Sequence, residues 1–440
     1  MRFIHGRMPD RVKISVYRSR ATLARSLALM LLFATVGLPA GAQSAIPLTL
    51  AEAEDKALDQ EPGRSALEAR ADALAEEAVA AGQLPDPKLR VGIANYPVES
   101  GGFTTEGMTQ AQLGLHQSFP PGDTRSLSTR RLRLLAGEVD KQAEGRGRDV
   151  LTAVRDAWLE GYYWYRAETI VRESRPFFKD LVTVTKSLYA VGRDDQQDVL
   201  RAKLELSRLD DRLIDIDRNQ DRSRAALSQW IGDDARRPLA EKLPHWVSVP
   251  PLEALRDALR SHPRLEAADA LVEARSTGID LAMQRYKPGW AVDFGYGHRE
   301  GRLPGGEPRS DFISLSVTID LPLFRHNRQD RYVRAAVHER RAAIDSKERV
   351  LRELESELET EFTRWHDLSR RLTLYEQEIL PQSEEQAKAA LAAYQSDAGD
   401  FAEVMRAYVD LLNTRLDVTR LRIDRARSYA ILANLGGLPR

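Results

Sequence analysis

Apolar and polar residues alternate in four short segments of the chain. The segments are residues 88–95, 110–119, 290–299 and 311–321. In the first, for example, Leu89, Val91 and Ile93 alternate with charged residues and glycine. A period of two is typical of a β-strand with one apolar and one polar face, and about ten residues is the length of a tilted strand that crosses a bilayer. The pattern therefore predicts four amphipathic strands, either in soluble hairpins or in a membrane sheet.

Elsewhere apolar residues recur every three or four positions, which predicts long helices. Residues 63–84, 124–190 and 327–394 are dense in Ala, Leu, Glu and Arg. In the last of these, positions from Leu351 to Tyr375 step by three and four, with one polar member, at position 361. This spacing is that of a heptad seam. At about 1.5 Å per residue such helices approach ~100 Å, so they need neighbours along their whole length.

The chain contains one unit twice, about 205 residues apart. YAVGRDDQQDVLRAKLEL from Tyr189 aligns with YQSDAGDFAEVMRAYVDL from Tyr394, and Pro176 pairs with Pro381 at the same offset. Such self-similarity indicates a tandem duplication, and the two prolines should interrupt and kink their helices at matching places. The predicted organisation is a first repeat over 43–232, a linker over 233–250 and a second repeat over 251–440.

The first 42 residues have the pattern of a secretory signal. Residues 2–25 carry seven Arg or Lys and one acid, and the apolar run LALMLLFATVGL and an Ala-Gly-Ala site follow. Removing residues 1–42 changes Lys+Arg from 65 to 58 and Asp+Glu from 66 to 65, which leaves a net charge of about −7. That charge argues against nucleic acid as a partner. The absence of cysteine excludes disulfides, thiolate metal sites and a thiol nucleophile.

The chain resembles the TolC-type outer-membrane efflux channels over positions 48–438. The recurring family pattern is met at Tyr189, Gly192, Asp198, Val199, Leu200 and Ala202. Its second copy falls at Tyr394, Asp397, Glu403, Val404, Met405 and Ala407, with Gly399 two places after Asp397. The resemblance implies a mostly α protomer with four β-strands and a long coiled-coil tunnel. Three such protomers would form a twelve-stranded membrane β-barrel with a twelve-helix tunnel in the periplasm.

The same resemblance implies partners and a substrate class. The implied partners are two further copies of the chain, a periplasmic membrane-fusion adaptor, an inner-membrane RND pump and outer-membrane lipid. The segments QSFPPGDTR (117–125) and LPLFRHNRQ (321–329) are similar to the heavy-metal branch of the family. This predicts export of cobalt, zinc, cadmium, copper or silver cations, while multidrug efflux and type I secretion stay open.

The candidate site is formed by two turns between helices, which the duplication makes equivalent. Its residues are Gly192, Arg193, Asp194, Asp195, Asp198 and Arg201 in the first turn, and Asp397, Gly399, Asp400, Glu403 and Arg406 in the second. One interpretation is a pair of solvated turns. In each turn an acid would pair with the arginine three residues later, Asp198 with Arg201 and Glu403 with Arg406. The other is a set of tips that meet at the periplasmic end of the tunnel, contact the adaptor and restrict passage with a ring of carboxylates.

The sequence indicates no enzyme, cofactor or resident metal. It has no nucleophile elbow, phosphate loop or two-histidine zinc helix, and its eight histidines are scattered. Two other classes of protein stay open, a periplasmic adaptor and a soluble exported coiled-coil rod. A membrane sheet of four strands would leave unpaired backbone at both edges, at a cost of several kcal/mol per group in lipid. If the strands cross a membrane, several chains must therefore share one barrel.

Overall fold

The computed structural model describes residues 46–193, 195–244, 246 and 248–438. The predicted signal peptide, residues 1–42, lies outside the described residues. The first repeat consists of α1 (Leu50–Gln60), α2 (Pro62–Ala81), β1 (Lys88–Ala94), β2 (Gln110–Phe119), α3 (Thr124–Ala190) and α4 (Gln196–Ile231). A short 3₁₀ turn, Gly232–Arg236, follows.

The second repeat has the same order of elements. It consists of α5 (Leu252–Leu259), α6 (Pro263–Gln284), β3 (Trp290–His298), β4 (Phe312–Ile319), α7 (Gln329–Leu374), α8 (Leu380–Gln395) and α9 (Phe401–Gly436). Within the described residues it differs by a π-helical turn, Tyr375–Ile379, between α7 and α8. The internal duplication predicted from the sequence is therefore present in the fold.

The four strands form one antiparallel sheet in the order β1-β2-β3-β4. The central pair joins the two repeats, with Leu115 opposite Phe294 and His116 opposite Asp293. Because side chains alternate between faces, the apolar residues share one face and the polar residues the other. Within the described residues β1 and β4 each have a free edge, and apolar side chains such as Val91 and Leu315 are 74% and 72% exposed. The sheet is thus incomplete in one chain.

The helices have the predicted length but respond differently to the paired prolines. α3 has 67 residues, which is about 100 Å of helix. It continues through Pro176 without ending, so the expected interruption there was wrong. In the second repeat the π-helical turn precedes Pro381 and separates α7 from α8. A π turn is one of the recognised ways in which a helix accommodates a bend.

The predicted seam of α7 forms a core with α9. Leu354 and Leu358 are fully buried and belong to one apolar cluster with Trp365, Tyr429 and Leu432. The one polar member of the seam, Glu361, is 8% exposed. Its carboxylate accepts a hydrogen bond from Ser428 Oγ at 2.8 Å. The polar position is tolerated in the core because α9 supplies a donor for it.

Candidate functional site

The first turn ends α3 with a glycine in the left-handed conformation. Gly192 has φ +71°. Its N–H donates to Tyr189 O at 3.0 Å, and the N–H of Arg193 donates to Leu188 O at 2.9 Å. These two bonds define a Schellman motif, in which the left-handed residue follows the C-cap. The prediction that Gly192 permits the turn is confirmed.

The second turn has the same hydrogen bonds but a different residue in the left-handed position. Asp397 has φ +58°, its N–H donates to Tyr394 O, and Ala398 N–H donates to Ala393 O. Gly399, which was expected to permit this turn, is not its left-handed residue. A Cβ on Gly399 would lie 2.9 Å from the Cβ of Ala393. Gly399 therefore permits close approach of the chain, while Asp397 tolerates the left-handed region better than most residues.

Two of the acidic residues begin the helices that follow the turns. Asp195 is the N-cap of α4 and Asp400 is the N-cap of α9. The Asp400 carboxylate accepts a hydrogen bond from Ala402 N–H at 3.2 Å, whereas the Asp195 side chain makes no such cap bond. A negative charge here is favourable because it faces the positive end of the helix dipole. Part of the acidity of the turns thus stabilises local structure.

An ion pair joins the two turns within one protomer. Arg193 Nη2 lies 2.6 Å from Asp397 Oδ2, and the two side chains are 59% and 77% exposed. The residues are 204 positions apart, so neither reading of the sequence predicted the contact. At this exposure the pair is worth well under ~1 kcal/mol in water. The contact nevertheless shows that the turns of the two repeats lie side by side.

The remaining predicted residues are not arranged symmetrically. Arg201 Nη1 lies 3.5 Å from Asp198 Oδ1, so the first expected pair is present with a long contact. In the described part of the second turn no ion pair joins Glu403 to Arg406, and both side chains are exposed. The expectation of a second pair is therefore wrong. Asp194 lies outside the described residues.

An ion-pair network, which no pattern in the sequence indicated, joins the repeats along the tunnel helices. The carboxylate of Glu160 on α3 lies 2.9 Å from Arg420 Nη1 and 2.6 Å from Arg427 Nη2 on α9. It also accepts a bond from Trp164 Nε1 at 2.6 Å. Burial alone would raise the pKa of Glu160, but Arg420, Arg427 and Trp164 hold it below its ordinary value. Arg420 also lies over the ring of Tyr163, 3.7 Å from its centroid. Partners about 260 positions apart carry no local sequence signal.

Nothing in the described ranges resembles a metal centre or a helical membrane span. No group of three or more His, Asp or Glu side chains there could hold a metal ion. Nor is any helix in the same ranges both long and apolar enough to cross a bilayer.

Comparison with known proteins relates the chain to one family. Residues 254–438 match the model of the family described as "Outer membrane efflux protein". Protein CyaE of Bordetella pertussis is 26% identical over 329 residues, which is 70% of this chain and 67% of that protein. The second half of the chain therefore resembles the outer membrane efflux protein family, and its solved structural neighbours are TolC-type channels.

Solved channels of this type share the fold. The outer-membrane channel OprN aligns with a TM-score of 0.75 and 16% identity, covering 88% of this chain and 90% of OprN. CusC aligns with a TM-score of 0.76 and 14% identity, covering 89% of this chain and 93% of CusC. The predicted fold class, a mostly α protomer with four strands and long tunnel helices, is confirmed.

The likeness to the outer membrane efflux protein family also indicates the location and the kind of activity. The protein is an efflux channel of the outer membrane, with its helical part in the periplasm. The family consists of passive channels rather than enzymes. TolC-type channels are homotrimers that work with an adaptor and an inner-membrane pump.

Proposed function

We propose that three copies of this chain form one channel, the exit duct of a tripartite RND-type efflux system. The observation that carries the proposal is the incomplete sheet. β1 and β4 lack partner strands in the described chain, and an open edge in lipid would leave its backbone N–H and C=O groups unsatisfied. Pairing β4 of one protomer with β1 of the next removes every edge. Three copies give twelve strands, within the size range of known barrels.

The two turns would then lie at the periplasmic end of the helical tunnel. Their position supports this, because the helices that lead to them start at the sheet and end at the turns. In the trimer the carboxylates of Asp195, Asp397, Asp400 and Glu403 form acidic rings around the opening. Such rings favour cations over anions in a pore. Arg193 moderates the charge of each ring by pairing with Asp397.

We also propose that the exported substrate is a heavy-metal cation. Support comes from the likeness of segments 117–125 and 321–329 to the heavy-metal branch and from the acidic turns. The adaptor would contact the outer surface of the turns, and the pump would deliver cations into the tunnel. Multidrug efflux or type I secretion through the same duct is the alternative, since all of these routes need the same barrel and tunnel.

Deletion of the gene separates these substrate classes. We expect the deletion strain to lose tolerance to divalent metals such as cobalt and zinc while its tolerance to organic drugs is unchanged. Complementation with the wild-type chain should restore metal tolerance. A loss of drug tolerance with normal metal tolerance would instead establish multidrug efflux.

The aperture is tested by single-channel recording in planar bilayers. Asp397→Ser combined with Asp400→Ser should raise conductance or weaken cation selectivity, while the trimer stays intact on a native gel. Glu348→Gln on the exposed face of α7 is the matched control and should change neither quantity. If the turn variant conducts like the parent with the same selectivity, the constriction lies elsewhere in the tunnel.

Assembly is tested separately in detergent. Chemical cross-linking of the purified mature chain should give a trimer. A monodisperse monomer that stays soluble without detergent would refute both the shared barrel and the duct.

A further inference from the structure

An unusually basic band follows the periplasmic ends of two strands. We define the arginine band as residues 123–134 and 325–334. It contains eight arginines and two aspartates, in a chain whose formal net charge is −1. The band begins just after β2, which ends at Phe119, and after β4, which ends at Ile319. A strong local excess of positive charge therefore lies where the strands leave the membrane.

The two aspartates of the arginine band already have partners. Asp123 lies 3.2 Å from Lys287 Nζ. Asp330 accepts a hydrogen bond from Tyr286 OH at 2.5 Å and lies 3.8 Å from His326 Nδ1. By contrast the side chains of Arg133, Arg328, Arg331 and Arg334 are exposed and make no hydrogen bond or ion pair with the described residues. The band therefore has positive charge that its own acids do not neutralise.

Helix stability does not explain these arginines. Arg125 lies in the first turn of α3, and Arg328 and Arg331 lie at the N-cap and first turn of α7. The N-terminus of a helix carries a partial positive charge, so a cation there is unfavourable and an anion is favourable. Each helix thus begins with arginines in addition to one aspartate, Asp123 or Asp330. The arrangement becomes favourable if an external anion lies against it.

Part of the arginine band lines an open groove between α2 and α3. The groove has a volume of about 540 Å³. Its lining residues are Gly82, Arg125, Ser126, Thr129, Arg130, Arg133 and Leu134. Arg125 donates to Gly82 O at 3.4 Å, Arg130 pairs with Glu273 at 2.8 Å, and Thr129 donates to Ala78 O at 3.0 Å. Guanidinium groups beside a hydroxyl suit a phosphate oxygen.

Exposed apolar side chains stand next to the second half of the arginine band. Leu321, Leu323 and Phe324 are 69%, 72% and 77% exposed. They continue the chain directly from β4, whose apolar side chains are exposed along its length. Apolar anchors that pass into a row of arginines are typical of a segment that lies at a membrane interface. The segment LPLFRHNRQ thereby has a physical role that does not depend on the exported substrate.

We infer that the arginine band binds the phosphate headgroups of anionic phospholipid in the periplasmic leaflet of the outer membrane. Leu323 and Phe324 enter the acyl-chain region, and the arginines of α3 and α7 contact headgroup phosphates. The inference rests on the proposed trimeric channel. Its consequence is that the height of the barrel in the membrane, and with it the direction of the tunnel helices, is fixed from the periplasmic side.

The test is native mass spectrometry of the full-length trimer in detergent, titrated with phosphatidylglycerol or phosphatidylcholine. Wild type should bind phosphatidylglycerol more tightly. Two triple variants probe the band, Arg125→Gln/Arg130→Gln/Arg133→Gln and Arg328→Gln/Arg331→Gln/Arg334→Gln. At the energy typical of a basic residue near an anionic surface, each should weaken phosphatidylglycerol binding about 100-fold and leave phosphatidylcholine binding unchanged.

A matched control removes the same charge elsewhere on the tunnel. Arg222, Arg371 and Lys388 are exposed and have no ion pair among the described residues. Their combined replacement by Gln should leave lipid binding at the wild-type level. Glycerol 1-phosphate, which has no acyl chains, should not displace the lipid at equal concentration.

Each contrary result has a distinct meaning. Equal binding of the two lipids by an intact wild-type trimer, or unchanged binding by both band variants, overturns the inference and leaves the channel standing. Displacement by glycerol 1-phosphate would show a site for phosphate rather than for lipid. Loss of the trimer in the band variants without lipid would mean that the arginines contact a neighbouring protomer. If wild type itself forms no trimer, the proposed function fails instead.

Discussion

The ion-pair network around Glu160 should contribute more to stability than the many surface ion pairs of the helices. Its members come from both repeats, since α3 provides the carboxylate and α9 provides Arg420 and Arg427. The side chains of Glu160, Arg420 and Arg427 are 27%, 31% and 20% exposed. Replacing Glu160 with Gln removes the charge and keeps the shape. Among the described residues Arg427 then keeps Asp156 and Asp424 as acidic neighbours, whereas Arg420 keeps Asp424 alone, at 4.0 Å.

The size of the effect follows from this partial burial. Breaking a fully buried pair by removing one partner costs about 3–5 kcal/mol, because the other charge is left uncompensated. An exposed pair contributes about 1 kcal/mol or less. The three side chains of the network are 20–31% exposed. We therefore expect Glu160→Gln to lower the free energy of unfolding by about 2 kcal/mol, between these two limits. For a chain of this length that corresponds to a fall in Tm of about 2–4 °C.

The assay is thermal unfolding of the purified channel in detergent, followed by circular dichroism at the helix band. Asp210→Asn is the matched control. Asp210 also accepts from an arginine on a neighbouring helix, with Arg175 Nε at 2.8 Å, but the two side chains are 49% and 39% exposed. We expect a much smaller change in Tm for the control. Equal changes in the two variants would refute the argument that burial and the second arginine make the Glu160 network stronger.

The same variant makes a prediction about pH. The pKa of Glu160 in the folded protein is lowered from 4.5, so the unfolded chain binds the proton more readily. The stabilising free energy of the ionised carboxylate is therefore fully present above about pH 4.5. It is lost as the pH falls through the lower pKa that Glu160 has in the folded protein. The difference in Tm between wild type and Glu160→Gln should shrink in acid. A difference that stays constant as the pH falls would contradict the proposed ionic origin.

Three further predictions concern the core, a buried histidine and the loops. Leu358→Ala, which opens a cavity in the α7–α9 core, should cost about 2–5 kcal/mol, whereas Leu374→Ala at a 46% exposed position should change Tm little. His262 is 2% exposed and burial lowers its pKa below 6.5. The Tm of wild type should therefore fall more steeply below about pH 6.5 than the Tm of His262→Asn. Parallel curves of Tm against pH would contradict this. Ser100→Cys and Gly305→Cys should react with an impermeant thiol reagent on intact cells if both strand-linking loops face the exterior, and protection of both would reverse the topology.

Features that depend on local pattern were predictable from the sequence. The strands were found because alternation over eight to ten residues has no helical equivalent, and β2 occupies the predicted residues 110–119. The seam of α7 was found because its residues, such as Leu354 and Trp365, recur every three or four positions. Only a helix places residues with this spacing on one face. The duplication was found because matched residues stay near one offset. Each of these signals lies within a single element.

Features that depend on contacts between distant residues were not predictable. Arg193 and Asp397 are both turn residues, and either could have faced solvent or a neighbouring protomer. Their pairing follows from the way the two repeats place their turns side by side. The alignment of the two repeats places Asp397 opposite Gly192, and both residues adopt the left-handed conformation. The sequence did not indicate that an aspartate rather than the nearby Gly399 would adopt it.

The divergence of the two turns has a consequence for how the channel could open. In the first turn Gly192 carries the left-handed conformation and has no side chain with which to bind. In the second turn Asp397 carries the same conformation and also pairs with Arg193 of the first. The left-handed residue of the first turn therefore makes no side-chain contact. The left-handed residue of the second turn makes one, to Arg193. Since the pair is exposed and worth well under ~1 kcal/mol, it can be broken at little cost. The divergence at Asp397 therefore adds a weak contact between the turns that a glycine at this position could not make.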